Sequence, residues 1–188
     1  MSYGVLALRV VLGLVMAAHG AQKLFGWFGG VGPRETAGGF AHLRFRAPVL
    51  MALAAGLAEF GGGVLLAAGL ATPFAALAIM IVMVNAVATA HWPNGFWNMK
   101  GGYEFNLLIF TAAAALAATG PGRFSLDALI GWAGNVSGLW WGVGVVGLSL
   151  LLSAGTLVLG RRSPVPPEPL AEGDDVGRPD DVRTRVAA

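Results

Sequence analysis

The sequence predicts an all-α, polytopic transmembrane bundle: a four-helix core, a fifth span and a disordered C-terminal tail. Three observations predict it. First, 56% of the 188 residues are hydrophobic and only 12% are charged, with a mean hydropathy of +0.69. A soluble domain carries roughly 25% charged residues, so this chain has too few to cover itself in water. Second, of its 12 basic and 10 acidic side chains, eleven lie in residues 161–188, leaving eleven for residues 1–160. Third, the 29 glycines follow no G-X-Y period, which excludes collagen and suits close packing of membrane helices.

The spans follow from length: about 20 apolar residues cross roughly 30 Å of hydrocarbon. The first is predicted at 5–24, with Arg9 near its start and expected to snorkel outward. It lacks the basic n-region and A-x-A site of a cleaved leader. The second, 47–70, starts at Pro48, a good first-turn residue. The third, 73–90, follows after Ala71 and Thr72, which forces a tight hairpin. The fourth, 105–119, is short for a span, and the fifth, 139–159, ends at Gly160-Arg161-Arg162. Between these last two, Gly120-Pro121-Gly122 makes a turn, Ser125 is a candidate N-cap, and 126–132 reads as a short interfacial helix. Small residues at Ala54, Ala58 and Gly62, and at Gly138 and Gly142, offer stripes for close helix contact. The tail, 161–188, holds five of the ten prolines and few large apolar residues, so it is expected to be disordered.

Orientation follows from the flanks. Five spans place Tyr3, Trp132, Trp140 and Trp141 at one interface and Trp27, Trp92, Trp97 and Tyr103 at the other. The second face carries Lys23, Arg34, Arg44, Arg46, Lys100, Arg161 and Arg162, against Arg123 and Arg9 on the first. Positive-inside then predicts a multi-pass protein of the cell membrane, N-terminus outside and tail cytoplasmic.

The zero cysteine count excludes disulfides, CxxC redox centres and cysteine-ligated zinc or iron–sulfur clusters, so electron transfer would need a bound cofactor or a partner. A net charge of +2, with scattered basic residues, argues against a nucleic-acid partner. The polar residues within the spans therefore carry the functional signal. Glu59 is twelve residues into its span, where a carboxylate must face the interior, be protonated or pair with a base. Its alternative is a structural hydrogen bond. His19 and Lys23 share a helix face at i, i+4, with Gln22 on an adjacent edge. Lys23 also reads as an interfacial anchor. Asn85 suits an interhelical hydrogen bond, and the loop 91–105 supplies His91, Asn94 and Glu104, the last also favoured by the helix dipole.

Topology gathers His19, Lys23, His91, Asn94 and Glu104 at one end, with Glu59 and Asn85 deeper. The first loop, from Gly26 to Gly30 and on to His42, is expected to cover them. Glu59, His19 and Lys23 are the candidate catalytic residues; Gln22, Asn85, His91, Asn94 and Glu104 are the candidate cofactor contacts. Such a pocket suits a quinone, whose reduction consumes protons that His, Lys and carboxylate can supply. A bis-His haem on His19 and His91 and a zinc site on the histidines with Glu104 are alternatives with no spacing motif behind them, and no metal site is assigned.

Several motifs carry a family resemblance: Leu8-Arg9-Val10 with Gly13-Leu14, His19-Gly20-Ala21-Gln22-Lys23-Leu24-Phe25-Gly26, Ala55-Gly56-Leu57-Ala58-Glu59 with Gly61-Gly62, and Gly69-Leu70-Ala71-Thr72. Gly101-Gly102-Tyr103-Glu104-Phe105 and Gly120 to Asp127 add to them. Over roughly residues 4–132 the chain resembles DoxX-family membrane proteins, whose usual pattern is a four-helix bundle; the fifth span and tail depart from it. The resemblance implies quinone chemistry with sulfur compounds as electron donors, as in the membrane subunit of a thiosulfate:quinone oxidoreductase. It also implies a partner, either a soluble redox protein or a second oxidoreductase subunit. Two other readings remain open: a non-enzymatic scaffold that recruits soluble redox or stress proteins through the tail, and a small transporter, for which a homo-oligomer would be needed.

Overall fold

The computed structural model describes residues 2–161, except the side chain of Ser2; the predicted tail beyond Arg161 lies outside the described residues. Those residues are helical with no strand. Their order is α1 (Ser2–Phe25), α2 (Gly32–His42), α3 (Pro48–Ala68), α4 (Thr72–Ala86), α5 (Glu104–Thr119), α6 (Leu126–Leu129) and α7 (Leu139–Gly160). A π-helical turn, Val87–His91, and a 3-10 turn, Trp92–Asn94, prolong α4. Pro93 accounts for the change of pitch: it has no N–H to give, and its ring crowds the carbonyl four residues back.

Four helices are long and apolar enough to cross a membrane: Tyr3–Phe25, Pro48–Ala68, Thr72–Asn94 and Leu139–Gly160. The predicted fourth span, α5, has 16 residues, about 24 Å of rise against a core of about 30 Å. It is nonetheless built into the bundle, packed on α4 and α7. α4 is central, touching α3, α5 and α7, while α1 lies chiefly on α3. The core where α1, α3, α4, α5 and α7 meet includes Met16, Leu66, Ile79, Met80, Leu116 and Val145.

The α1–α3 crossing is set by glycine. Gly13 and Gly20 on α1, and Gly56 and Gly63 on α3, are each seven residues apart, so each pair repeats on one face. A Cβ on Gly13 or Gly20 would strike α3 backbone, and one on Gly63 would strike α1 backbone at Ala17. This seam differs from the expected stripe. Gly62 instead faces Ala75, Ala78 and Ile79 of α4, and Ala54 and Ala58 face a cavity. Gly142 does make a close contact, with Ala118 of α5.

Two further expectations are corrected. The first loop contains a helix, α2, whose start carries a helix signature, Pro33 in the first turn followed by Glu35. Arg9 does not snorkel outward; it is 1% exposed. Its Nη2 donates to Phe124 O at 2.6 Å, and it lies in the field of Asp127. Inward packing gives the guanidinium an acceptor and a counter-charge that lipid would not.

Asp127, fully buried, closes this end of the bundle. Its carboxylate accepts from Ala71 N at 2.8 Å and from Thr72 N and Oγ1 at 3.1 and 2.9 Å, capping α4 from another helix. Its own amide donates to Gly69 O at 2.8 Å. Gly69 has φ +67°, and a Cβ there would overlap Arg9, so only glycine fits. Ser125 caps α6 as expected, accepting from Ala128 N at 3.1 Å, although α6 itself is only four residues long.

At the opposite end, the segment after α2 is tied to the end of α7. Phe45 pairs with Arg161, Arg46 N donates to Gly160 O at 2.8 Å, and Arg161 Nε donates to Leu43 O at 3.1 Å.

Candidate intramembrane site

Glu59 is 2% exposed at the middle of α3. Its Oε2 is paired with Lys23 Nζ from the last turn of α1. The glycine seam makes this possible. Gly56, one turn before Glu59, holds Leu24 and Lys23 against its bare Cα. The α1 C-terminus therefore lies close enough for the lysine to reach inward, where the helix dipole also favours a cation. An isolated ion at this depth would cost several kcal/mol, so the pair is what permits either charge.

The pair forms one wall of a cavity of about 410 Å³ between α2, α3, α4 and α7. Ala54 and Ala58 make the space, Met51, Ile81 and Val82 line it, and Phe40, Leu43 and Phe45 close it from the α2 side. Its other polar walls are Asn85, Thr89 and Thr156. Asn85 Nδ2 donates to Ile81 O at 2.9 Å and to Ser153 Oγ at 3.5 Å, which joins α4 to α7. Its Oδ1 is buried without a partner.

His19 and Gln22 lie elsewhere. They line a second cavity, of about 500 Å³, between α1 and α2, with Glu35 and Thr36 on the α2 side. Gln22 Nε2 donates to Phe28 O at 3.2 Å and so braces the turn before α2. His19 is exposed at the rim. Lys23, Phe40 and Leu43 are the residues that line both cavities.

His91, Asn94 and Glu104 line neither cavity. His91 Nδ1 donates to Gly101 O at 2.7 Å, and Asn94 Nδ2 donates to the same carbonyl at 3.2 Å. The Glu104 carboxylate accepts from Asn98 N at 3.0 Å. Together they fold the loop between α4 and α5, with Trp92 stacked on Tyr103. The expected single pocket is thus three places: the Lys23–Glu59–Asn85 cavity, the His19–Gln22 cavity and the loop. His19 and His91 fall in different ones. Among the described residues, no three His, Asp or Glu side chains cluster as metal ligands.

Sequence reading missed α2 and with it Phe40, Phe45 and Glu35; the Pro33–Glu35 start was the available signal. It also missed the inward turn of Arg9, for which no local signal exists.

The fold and site define a class: a polytopic helical membrane protein with a buried glutamate, paired with a lysine, on an intramembrane cavity. A sequence model of the DoxX family matches residues 4–92. The chain is 32% identical over 133 residues to the Mycobacterium tuberculosis (strain ATCC 25618 / H37Rv) protein named Uncharacterized membrane protein Rv3486, covering 65% of this chain and 78% of that one. It is 30% identical over 127 residues to the Bacillus subtilis (strain 168) protein named Putative oxidoreductase CatD, covering 68% and 87%. No solved structure matches it. The chain belongs to the DoxX family.

Proposed function

We propose that the chain is the quinone-binding subunit of a membrane oxidoreductase system, with the Lys23–Glu59 cavity as its site. The observation that carries this reading is an apolar, intramembrane cavity of about 410 Å³ with the buried Glu59 carboxylate, paired with Lys23, in its wall. Its size falls within the range of small-molecule pockets, and its apolar lining with few polar groups is what such ligands use. The residues fit a quinone: the Lys23 ammonium can donate to a carbonyl oxygen, and Glu59 can hold a proton beside it. A bound quinone supplies the two-electron, two-proton acceptor. The protein's part is to exclude water, orient the ring and pass a proton through the Lys23–Glu59 pair.

Electrons would come from a second subunit or soluble donor, sulfur compounds being the class the family resemblance suggests. The name of the Bacillus relative supports an oxidoreductase role. The α2 end is read as cytoplasmic, since Lys23, Arg34, Arg44, Arg46, Lys100 and Arg161 gather there while Arg123 and the buried Arg9 serve the other end.

The test is binding of a short-chain menaquinone or ubiquinone to protein in nanodiscs, compared with Lys23→Met and Ala58→Phe. Binding weakened about tenfold or more by both variants is expected. No binding by the wild type, or equal binding by all three, overturns the reading; lost soluble partners on deletion of 162–188 would then favour a scaffold.

A further inference from the structure

We propose that the cavity between α1 and α2 is a water-filled proton antechamber, through which His19 and Glu35 supply protons to Glu59 by way of Lys23. The inference deepens the proposed function and rests on it for the use of the proton, but not for the existence of the route.

Three features carry it. The two cavities differ in kind. That of Glu59 is lined mainly by alanines and large apolar side chains, whereas the other adds His19, Gln22, Glu35 and Thr36 to its glycines and its Val31, Phe40 and Leu43. The second cavity also opens outward, because His19, Glu35, Gly29 and Gly39 on its rim are exposed. At about 500 Å³ it has room for on the order of ten waters, at about 30 Å³ each. Finally, Lys23 stands between them. It lines both cavities, its side chain is 29% exposed, and it is bonded to a Glu59 side chain that is 3% exposed. Phe40 and Leu43, which also line both, carry no proton. The lysine is thus partly exposed, while the carboxylate it holds is not.

The titratable groups on these walls are His19 and Lys23 of α1, Glu35 of α2 and Glu59 of α3. α4 and α7 contribute only neutral groups, Asn85, Thr89 and Thr156. The Lys23 ammonium passes a proton to the Glu59 carboxylate, leaving a neutral amine and a carboxylic acid. Glu59 would pass that proton to a carbonyl oxygen of a quinone undergoing reduction there, and the amine takes another from antechamber water, which Glu35 or His19 reprotonates. Each cycle carries one proton and returns the pair to its starting charges.

The chain has two lysines, Lys23 and Lys100, so lysine labelled with nitrogen-15 at Nζ gives two ammonium signals, which Lys100→Arg assigns. The readout is the exchange rate of the Lys23 ammonium with water, in nanodiscs without quinone. A Cβ at Gly39 meets open space, so Gly39→Phe fills the antechamber without displacing backbone. We expect Gly39→Phe, and separately the paired His19→Gln/Glu35→Gln, to slow exchange at least fivefold, while Ala58→Phe, which fills the other cavity, leaves it unchanged. Equal rates in all variants, or slowing by Ala58→Phe alone, overturn the route. The quinone reading fails separately, if Gly39→Phe slows exchange but the wild type binds no quinone.

Discussion

Each end of the bundle sets a basic residue of α1 near a buried carboxylate from another helix, and the two arrangements do opposite things. Arg9 and Lys23 are fourteen residues apart, close to four turns, and so project from similar faces about 21 Å apart along the helix. At the first end the carboxylate is consumed: Asp127 accepts two amides and a hydroxyl and fixes the start of α4. At the second, Glu59 has no backbone donors to serve; Lys23 holds it, and both side chains line a cavity. Buried charge alone does not mark a site. A carboxylate saturated by backbone is architecture, and one that shares an open wall with a single proton donor is available for chemistry.

The largest loss is expected at the sealed end. Asp127→Ala removes three hydrogen bonds and the counter-charge of Arg9, and a loss of about 4 kcal/mol is expected. Thermal unfolding in a mild detergent reads it; a melting point near wild type would show that this end is not the lock described. Gly69→Ala should follow, at about 2–4 kcal/mol, because it combines a left-handed backbone with a clash against Arg9.

At the open end the pattern of double variants matters more than any single loss. Lys23→Met leaves Glu59 buried without its partner and is expected to cost about 3 kcal/mol. Adding Glu59→Leu should recover most of that stability but none of the quinone binding, since the cost lies in the orphaned charge. A double variant no more stable than Lys23→Met would mean the pair is architectural, like Asp127.

Much of this was legible before the structure. Hydropathy and length placed the spans, because every backbone group in lipid must be satisfied within a helix. Glu59 stood out for the same reason: a single acid among apolar residues must find a partner. Spacing gave His19 and Lys23 a common face, but could not say that α2 would lie over it and divide it, with His19 on the water side and Lys23 at the boundary. α2 itself was hidden because its glycines and polar residues give no apolar period, although Pro33 and Glu35 mark its start. The inward turn of Arg9 was illegible, since it depends on Phe124 and Asp127, more than a hundred residues away.

The smallest expected effects belong to the loop, and they sharpen the division of the eight candidate residues. His91 and Asn94 converge on one carbonyl, Gly101 O, and Glu104 holds the amide of Asn98. These bonds are half-buried or exposed, so water replaces them readily, and each should contribute about 1 kcal/mol or less. His91→Ala, Asn94→Ala and Glu104→Gln are therefore expected to lower the melting point slightly, to leave quinone affinity within about twofold of wild type, and to leave Lys23 exchange unchanged. The ranking among them follows the geometry. His91, with the shortest bond at 2.7 Å, should matter most. A tenfold loss of quinone binding in any one of the three would return that residue to the site and show that the loop moves over the cavity when it is occupied.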